Sequence, residues 1–343
     1  MSRNPASDAY RQSGVDLGRM DELKERIRGL AASTHGPEVI EGGGSFAGLY
    51  QMGGEDGPVL VASADGVGTK LKIAAQLGHF ESVGRDLVTL NVNDILTKGA
   101  RPLFFLDYVA FSDVDPQALD SLMRGIAWGC REAQCALIGG ETAQMPQVYA
   151  DGEMDLAGFV VGVVERDKLL EPARIKEGDR LLGLPSNGLH TNGFSLVRRV
   201  FNTDDDPAAL FRRYDGLRHQ LGEELLLHHR SYYPMLAPAL DLLSGLAHIT
   251  GGGLPGKLPP VLPDQLAASI DTDAWKPPPI FEALRREGGI ADGEMFRVFN
   301  MGLGMVAVCP EANVPAFCAR IPEAIPVGRI VRRESDEQVI LNP

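Results

Sequence analysis

Asp65-Gly66-Val67-Gly68-Thr69-Lys70 sits where a short apolar run, residues 59–62, gives way to Leu71-Lys72-Ile73-Ala74-Ala75. The apolar run reads as a buried strand and the residues after Lys70 read as a helix. The stretch is therefore a strand-to-helix turn that carries a carboxylate, two glycines, a hydroxyl and a lysine. Glycine lets backbone approach an anion closely, and N–H groups at a helix start favour negative charge. Asp65 adds a hard oxygen ligand suited to Mg²⁺. Two readings stand: a site for a metal–nucleotide complex, or a glycine-containing turn with a capping aspartate. A Walker loop is excluded, because that motif needs four residues between its glycines and a lysine before the hydroxyl.

Outward from this turn, strands and helices alternate. Met20, Leu23, Ile27 and Leu30 recur at helical spacing, so 21–31 is an amphipathic helix. A flexible loop, Glu41-Gly42-Gly43-Gly44-Ser45, follows it. Residues 84–98 form a helix by length and composition, stopped by Gly99 and Pro102. Residues 103–111 read as a strand, 116–134 as a helix, and 136–138 as a short strand ending in the turn Gly139-Gly140-Glu141-Thr142. Another apolar strand covers 156–164. This order predicts an α/β class with α+β layers. Residues 171–179 read as a connector, and a second unit opens with a strand at 180–184. An acidic, irregular surface loop is expected at 203–216, and late strands at 301–308 and 327–331. The 343 residues suffice for two domains, placed at 1–170 and 171–343.

The bulk numbers exclude several classes. Apolar content of 44% and charged content of 23% are ordinary for a globular protein. A net charge of −13 argues against broad nucleic-acid binding, where phosphate neutralisation dominates. An anionic small substrate feels only its own pocket and is not excluded. The four cysteines, Cys130, Cys135, Cys309 and Cys318, form no Cys-x-x-Cys pair and have no histidine cluster nearby in sequence, so a zinc site is not expected. Cys130 and Cys309 read as core thiols. Residues 1–14 lack the apolar centre of a signal peptide, and the longest apolar runs fall well short of the ~18 residues of a membrane span. A cytoplasmic protein with no membrane partner is the expectation.

Four further constellations can carry chemistry. Asn91, Asp94 and Lys98 share one face of a helix that is otherwise apolar. A buried carboxylate there needs a partner, either Mg²⁺ or the Lys98 ammonium. Gly139-Gly140-Glu141-Thr142 presents a carboxylate and a hydroxyl much as the first turn does. Asp65, Asp94 and Glu141 converging on a divalent ion is one reading; an exposed Glu on a turn is the other. In the second unit, His190-Thr191-Asn192-Gly193 opens a helix over 194–200, as a cap or as an anion or amide contact. His248-Ile249-Thr250-Gly251-Gly252-Gly253 offers unobstructed N–H groups to a phosphate, or is a flexible connector. His228-His229 reads as surface on a helix, and no Ser/His/Asp set stands out by spacing.

Taken together, these pieces resemble the phosphoribosylformylglycinamidine cyclo-ligase family. The likeness runs nearly end to end. It includes Tyr10-Arg11-Gln12-Ser13-Gly14-Val15-Asp16, the turn at 65–70, Asn91-Val92-Asn93-Asp94 and residues 99–108. It continues through residues 139–146, 188–198, 248–253 and 299–305. The resemblance implies two domains, with N-terminal sheets pairing into a barrel across a homodimer, a C-terminal α/β sandwich and ATP near the interface. It implies ATP- and Mg²⁺-dependent closure of formylglycinamidine ribonucleotide to aminoimidazole ribonucleotide, releasing ADP and phosphate. On that footing Asp65, Asp94 and Glu141 would hold Mg²⁺. Gly66, Gly68, Thr69, Lys70 and Asn91 would serve the ATP phosphates and the metal shell. Thr191, Asn192, Thr250, Gly251, Gly252 and Gly253 would hold the ribonucleotide. Asp94, His190 and His248 would be catalytic, the histidines as proton carriers. The rivals are a related small-molecule kinase and a nucleotide-binding scaffold without turnover.

Overall fold

The computed structural model describes residues 17–41, 46–54 and 56–343. The 10–16 stretch and the Gly42-Gly43-Gly44-Ser45 loop lie outside them. Helix α1 (Leu17–Ala32) carries the periodic residues read from the sequence, and Ile27 and Leu30 on it are exposed.

The first unit is a six-stranded sheet in the order β1-β2-β3-β6-β4-β5. Its strands are β1 (Val39–Glu41), β2 (Gly48–Gln51), β3 (Val59–Asp65), β4 (Arg101–Phe111), β5 (Ala136–Gln144) and β6 (Met154–Val164). All neighbours are antiparallel except β4 and β5. Helix α2 (Lys70–Leu77) follows β3, α3 (Phe80–Leu96) packs against β3, β4 and β6, and α4 (Pro116–Glu132) packs on α3. The start of α4 is set locally. The Asp115 side chain accepts from Gln117 N at 3.1 Å, and Pro116 costs nothing where no intrahelical N–H is required.

Two expectations are corrected here. Helix α3 begins four residues before Gly84. That glycine is interior because α4 crosses it: a Cβ on Gly84 would meet Leu122 O at 2.2 Å, and one on Gly125 would meet Glu81 O at 2.0 Å. Likewise Gly139-Gly140-Glu141-Thr142 is not a turn. It continues β5 through to Gln144, hydrogen-bonded alongside β4. Gly140 is needed there because a Cβ would fall 2.5 Å from Asp107 Oδ1.

The second unit is another six-stranded sheet, ordered β12-β9-β11-β7-β10-β8. Its strands are β7 (Arg180–Pro185), β8 (Gly245–His248), β9 (Leu266–Asp271), β10 (Leu303–Cys309), β11 (Ile325–Arg332) and β12 (Val339–Asn342). Only β12 and β9 run parallel. Every residue of β10 is buried, as its unbroken apolar sequence requires of a central strand covered on both faces. Around the sheet lie α5 (Phe194–Phe201), α6 (Leu221–Leu225), α7 (Tyr233–Leu236), α8 (Gly253–Lys257), α9 (Pro279–Gly288), α10 (Asp292–Val298) and α11 (Val314–Arg320). The 203–216 loop contains a 3₁₀ turn at Pro207–Phe211. Buried Leu182, Tyr232, Leu246 and Met305 join the first unit's core, so one apolar cluster runs through both units. Cys130 and Cys309 are buried thiols, as read.

Candidate active site

The strand-to-helix turn forms where the sequence places it, with β3 extending to Asp65 and α2 starting at Lys70. Gly66 N donates to Asp65 Oδ1 at 2.7 Å, and a Cβ on Gly66 would strike Leu156 O at 2.6 Å. Gly68 takes a left-handed φ of 57°, which glycine adopts without steric cost. Thr69 Oγ1 reaches Ser195 Oγ of α5 at 3.2 Å, tying the turn to the second unit.

Asp94, on the face of α3 that the sequence marks as polar, is buried. Ser63 Oγ donates to its Oδ2 at 3.3 Å, and its Oδ1 faces His248 Nδ1 at 2.7 Å. His248 ends β8, so this contact crosses from one unit to the other. Asn91 Nδ2 donates to the Leu87 carbonyl at 2.8 Å and to the Asp65 carbonyl at 3.2 Å. Among the described residues, buried Asn91 Oδ1 has no hydrogen-bond partner. The Asp65 carboxyl is pushed above its ordinary pKa, first by desolvation and then by the Asp94 charge. Lys257, at the end of α8, is the cation facing this pair. Desolvation lowers its pKa, and Asp94 and Asp65 oppose that shift. Sequence reasoning missed Lys257; its one signal was a lysine four residues beyond the Gly251-Gly252-Gly253 run. Two neighbouring carboxylates, beside an unpartnered amide oxygen, fit a hard divalent cation.

Lys70 is placed elsewhere. Its ammonium is fully buried, 2.6 Å from Asp86 Oδ2 and 2.8 Å from the Leu227 carbonyl. Asp86 in turn accepts from His229 N at 2.6 Å. The lysine that the resemblance assigns to ATP phosphates is thus consumed by an internal ion pair, which sequence spacing does not reveal across 16 residues.

Glu141 is also kept apart from the carboxylate pair within the chain. Asp65, Gly158, Asp107 and Gly140 form one row across β3, β6, β4 and β5. Three strand spacings, about 14 Å, separate its ends. Glu141 is the next residue on β5, paired with Tyr108, and side chains alternate. It therefore lies on the face opposite Asp107. Its neighbours there are half-exposed or exposed apolar residues, including Leu106, Phe159 and Val161.

The second unit's glycine turns come together. A Cβ on Gly251 would sit 3.1 Å from Asn192 Oδ1, and one on Gly253 would meet Phe296 O at 1.9 Å. Asn192 Nδ2 donates to Thr191 Oγ1 at 3.4 Å. His190 takes a left-handed φ of 60°, and its Nε2 accepts from Asn187 N at 3.3 Å and Arg230 N at 3.4 Å. His229, read as surface on a helix, is fully buried in a non-helical segment. Thr191 Oγ1 lies 3.3 Å from His229 Nδ1, and His229 Nε2 lies 2.9 Å from His248 Nε2. Burial holds both His190 and His229 well below the usual imidazole pKa, aided by neighbouring charge. Donor atoms of His190, His229 and His248 lie within 4.8 Å of one another. They do not form a ligand set, because His190 and His229 stack with centroids 4.0 Å apart and planes 22° apart. Their in-plane lone pairs run nearly parallel instead of converging.

Comparison with known proteins now gives the class. The family described as AIR synthase related protein, N-terminal domain, matches residues 44–164, and the AIR synthase related protein, C-terminal domain, matches residues 176–340. A phosphoribosylformylglycinamidine cyclo-ligase from Sorangium cellulosum (strain So ce56) is 48% identical over 95% of this chain and 96% of its own. One from Myxococcus xanthus (strain DK1622) is 46% identical over 97% and 99%. The chain belongs to the phosphoribosylformylglycinamidine cyclo-ligase family. Among solved structures, hydrogenase maturation protein HypE in complex with ATP matches with a TM-score of 0.60 over 89% of this chain and 86% of that one. At 16% identity that likeness is one of fold.

Proposed function

We propose that the chain closes formylglycinamidine ribonucleotide to aminoimidazole ribonucleotide with ATP, as a cyclo-ligase of purine biosynthesis. The observation that carries this reading is the Asp65–Asp94 pair facing His248 and Lys257 at the seam of the two units. The γ-phosphoryl passes to the substrate's formamide oxygen and ADP leaves. A substrate nitrogen then attacks the same carbon, and the oxygen departs with the phosphate. Such chemistry asks for positioning and charge stabilisation, not a protein nucleophile.

Asp65 and Asp94, with Asn91 Oδ1, would hold Mg²⁺, which when bound neutralises phosphate charge. Asp94 fixes the His248 ring, and Lys257 balances the carboxylates. The backbone of Gly66 and Gly68, with the Thr69 hydroxyl, lies beside that pair and is available to ATP. Thr191, Asn192 and the Thr250–Gly253 turn form one surface for the ribonucleotide. His190 and His248 lie behind it, buried and already hydrogen-bonded, and support that surface without serving as proton carriers. Lys70 acts from within, as a strut under the turn.

A homodimer is part of the proposal. Leu60, Phe104, Leu106, Phe159 and Val161 leave the sheet face opposite α3 apolar and incompletely covered, and pairing two such faces would bury it. Glu141 lies on that face, so any role in metal binding belongs to the assembled dimer. Among the described residues no helix is long and apolar enough to cross a membrane, and we place the enzyme in the cytoplasm.

The test is purified protein with formylglycinamidine ribonucleotide, Mg²⁺ and ATP. ADP, free phosphate and the cyclised product are followed together. Substrate-dependent formation of all three supports the reading; a product that keeps the phosphoryl group transferred from ATP means a kinase, and ATP binding without turnover means a scaffold.

A further inference from the structure

The hydrogen bonds around His229 fix the proton positions of two imidazoles. Asp94 Oδ1 as a carboxylate only accepts, so His248 Nδ1, at 2.7 Å, carries the hydrogen. With its hydrogen on Nδ1, His248 presents Nε2 at 2.9 Å from His229 Nε2, where it can accept the His229 N–H. His229 Nδ1 is left to accept from the Thr191 hydroxyl at 3.3 Å. The His229 backbone N–H is itself clamped by Asp86 Oδ1 at 2.6 Å, and Asp86 by Lys70. Both rings and both acids in this chain of contacts are buried.

We propose that His229 is a positioning residue for Asp94, acting through His248, and that it couples the Thr191 turn of the second unit to the acid of the first. Its Nε2–H fills the acceptor of the His248 tautomer that Asp94 sets, and so holds that ring in place against Asp94. Without that donor the buried His248 Nε2 has no partner, and the ring is no longer held with Nδ1 on Asp94 Oδ1. The proposal rests on the reading of Asp94 as a ligand for a divalent cation. Outer partners of metal ligands typically change metal affinity about 10–100-fold.

The test is Mn²⁺ binding to the full chain without ATP, followed by electron paramagnetic resonance, with thermal melting measured alongside. His229→Phe keeps a ring and removes the donor; Mn²⁺ affinity falls about 10–100-fold. His229→Gln places an amide nitrogen near the lost Nε2 and restores affinity, whereas His229→Asn, whose amide reaches only the Nδ1 position, does not. Asp94→Asn is the control. Weaker Mn²⁺ binding in Asp94→Asn with unchanged binding in folded His229→Phe overturns the positioning role alone. Unchanged binding in Asp94→Asn overturns the ligand reading, and this proposal with it. If His229→Phe does not fold, the Gln and Asn variants decide, and equal affinities overturn the proposal.

Discussion

Replacing Lys70 by Met removes a charge while nearly conserving side-chain length. The structure predicts a stability defect from this change, with no local failure of nucleotide contact. Lys70 and Asp86 are both fully buried and 2.6 Å apart, and the lysine also serves the Leu227 carbonyl. Burial already raises the Asp86 pKa, opposed chiefly by Lys70. Without the lysine, Asp86 becomes an uncompensated buried charge or must take up a proton. Breaking a buried pair from one side costs about 3–5 kcal/mol. At about 2–4 °C per kcal/mol for domains of this size, the first melting transition should fall by roughly 6–20 °C. Lys70→Met/Asp86→Asn keeps an oxygen for the His229 N–H and removes both charges, so its cost should be well below the sum of the single changes. Urea and thermal unfolding of the three variants, with the ATP KM of those that fold, make the assay. A Lys70→Met protein of wild-type stability with a much higher ATP KM would refute the argument and return the lysine to the phosphates.

Asp94→Asn should leave the melting temperature close to wild type and sharply lower turnover; near-normal turnover would remove Asp94 from the metal site. Gly125→Ala would bring a methyl to 2.0 Å from the Glu81 carbonyl, and should cost about 1–3 kcal/mol in urea unfolding. Phe159→Glu should split the proposed dimer in sedimentation while leaving the monomer's circular dichroism unchanged. Acid should destabilise the protein through His190 and His229, whose native pKa values are held down by burial. Below the unfolded value near 6.5 the unfolded chain binds protons the native chain refuses, so stability is lost as pH falls. For an imidazole kept neutral throughout, the loss by pH 5 is about 2 kcal/mol. His229→Gln should therefore show about that much less acid sensitivity between pH 8 and pH 5 than wild type.

Much of the local grammar of the chain was legible. The apolar run before Asp65, the glycines after it and the periodic residues of α3 and α4 specify strand, turn and helix, because period and backbone freedom act over a few residues. Asp94 could be singled out because a carboxylate on an apolar helix face needs a partner wherever it lies. The end-to-end order of motifs likewise disclosed the family. What the sequence alone left open is which partner each polar group finds. Lys70 sits in a phosphate-like turn by sequence, yet Asp86 claims it once α2 and α3 pack. Glu141 occupies an apparent turn, yet hydrogen bonding to β4 draws it into a strand and alternation sends it to the outer face. His229 follows another histidine and reads as surface on a helix, yet the closing of the two units buries it between Thr191 and His248. Propensity and pattern are local and determine the elements. Charge pairing and burial depend on distances between residues far apart in the chain, and only the packed structure sets those.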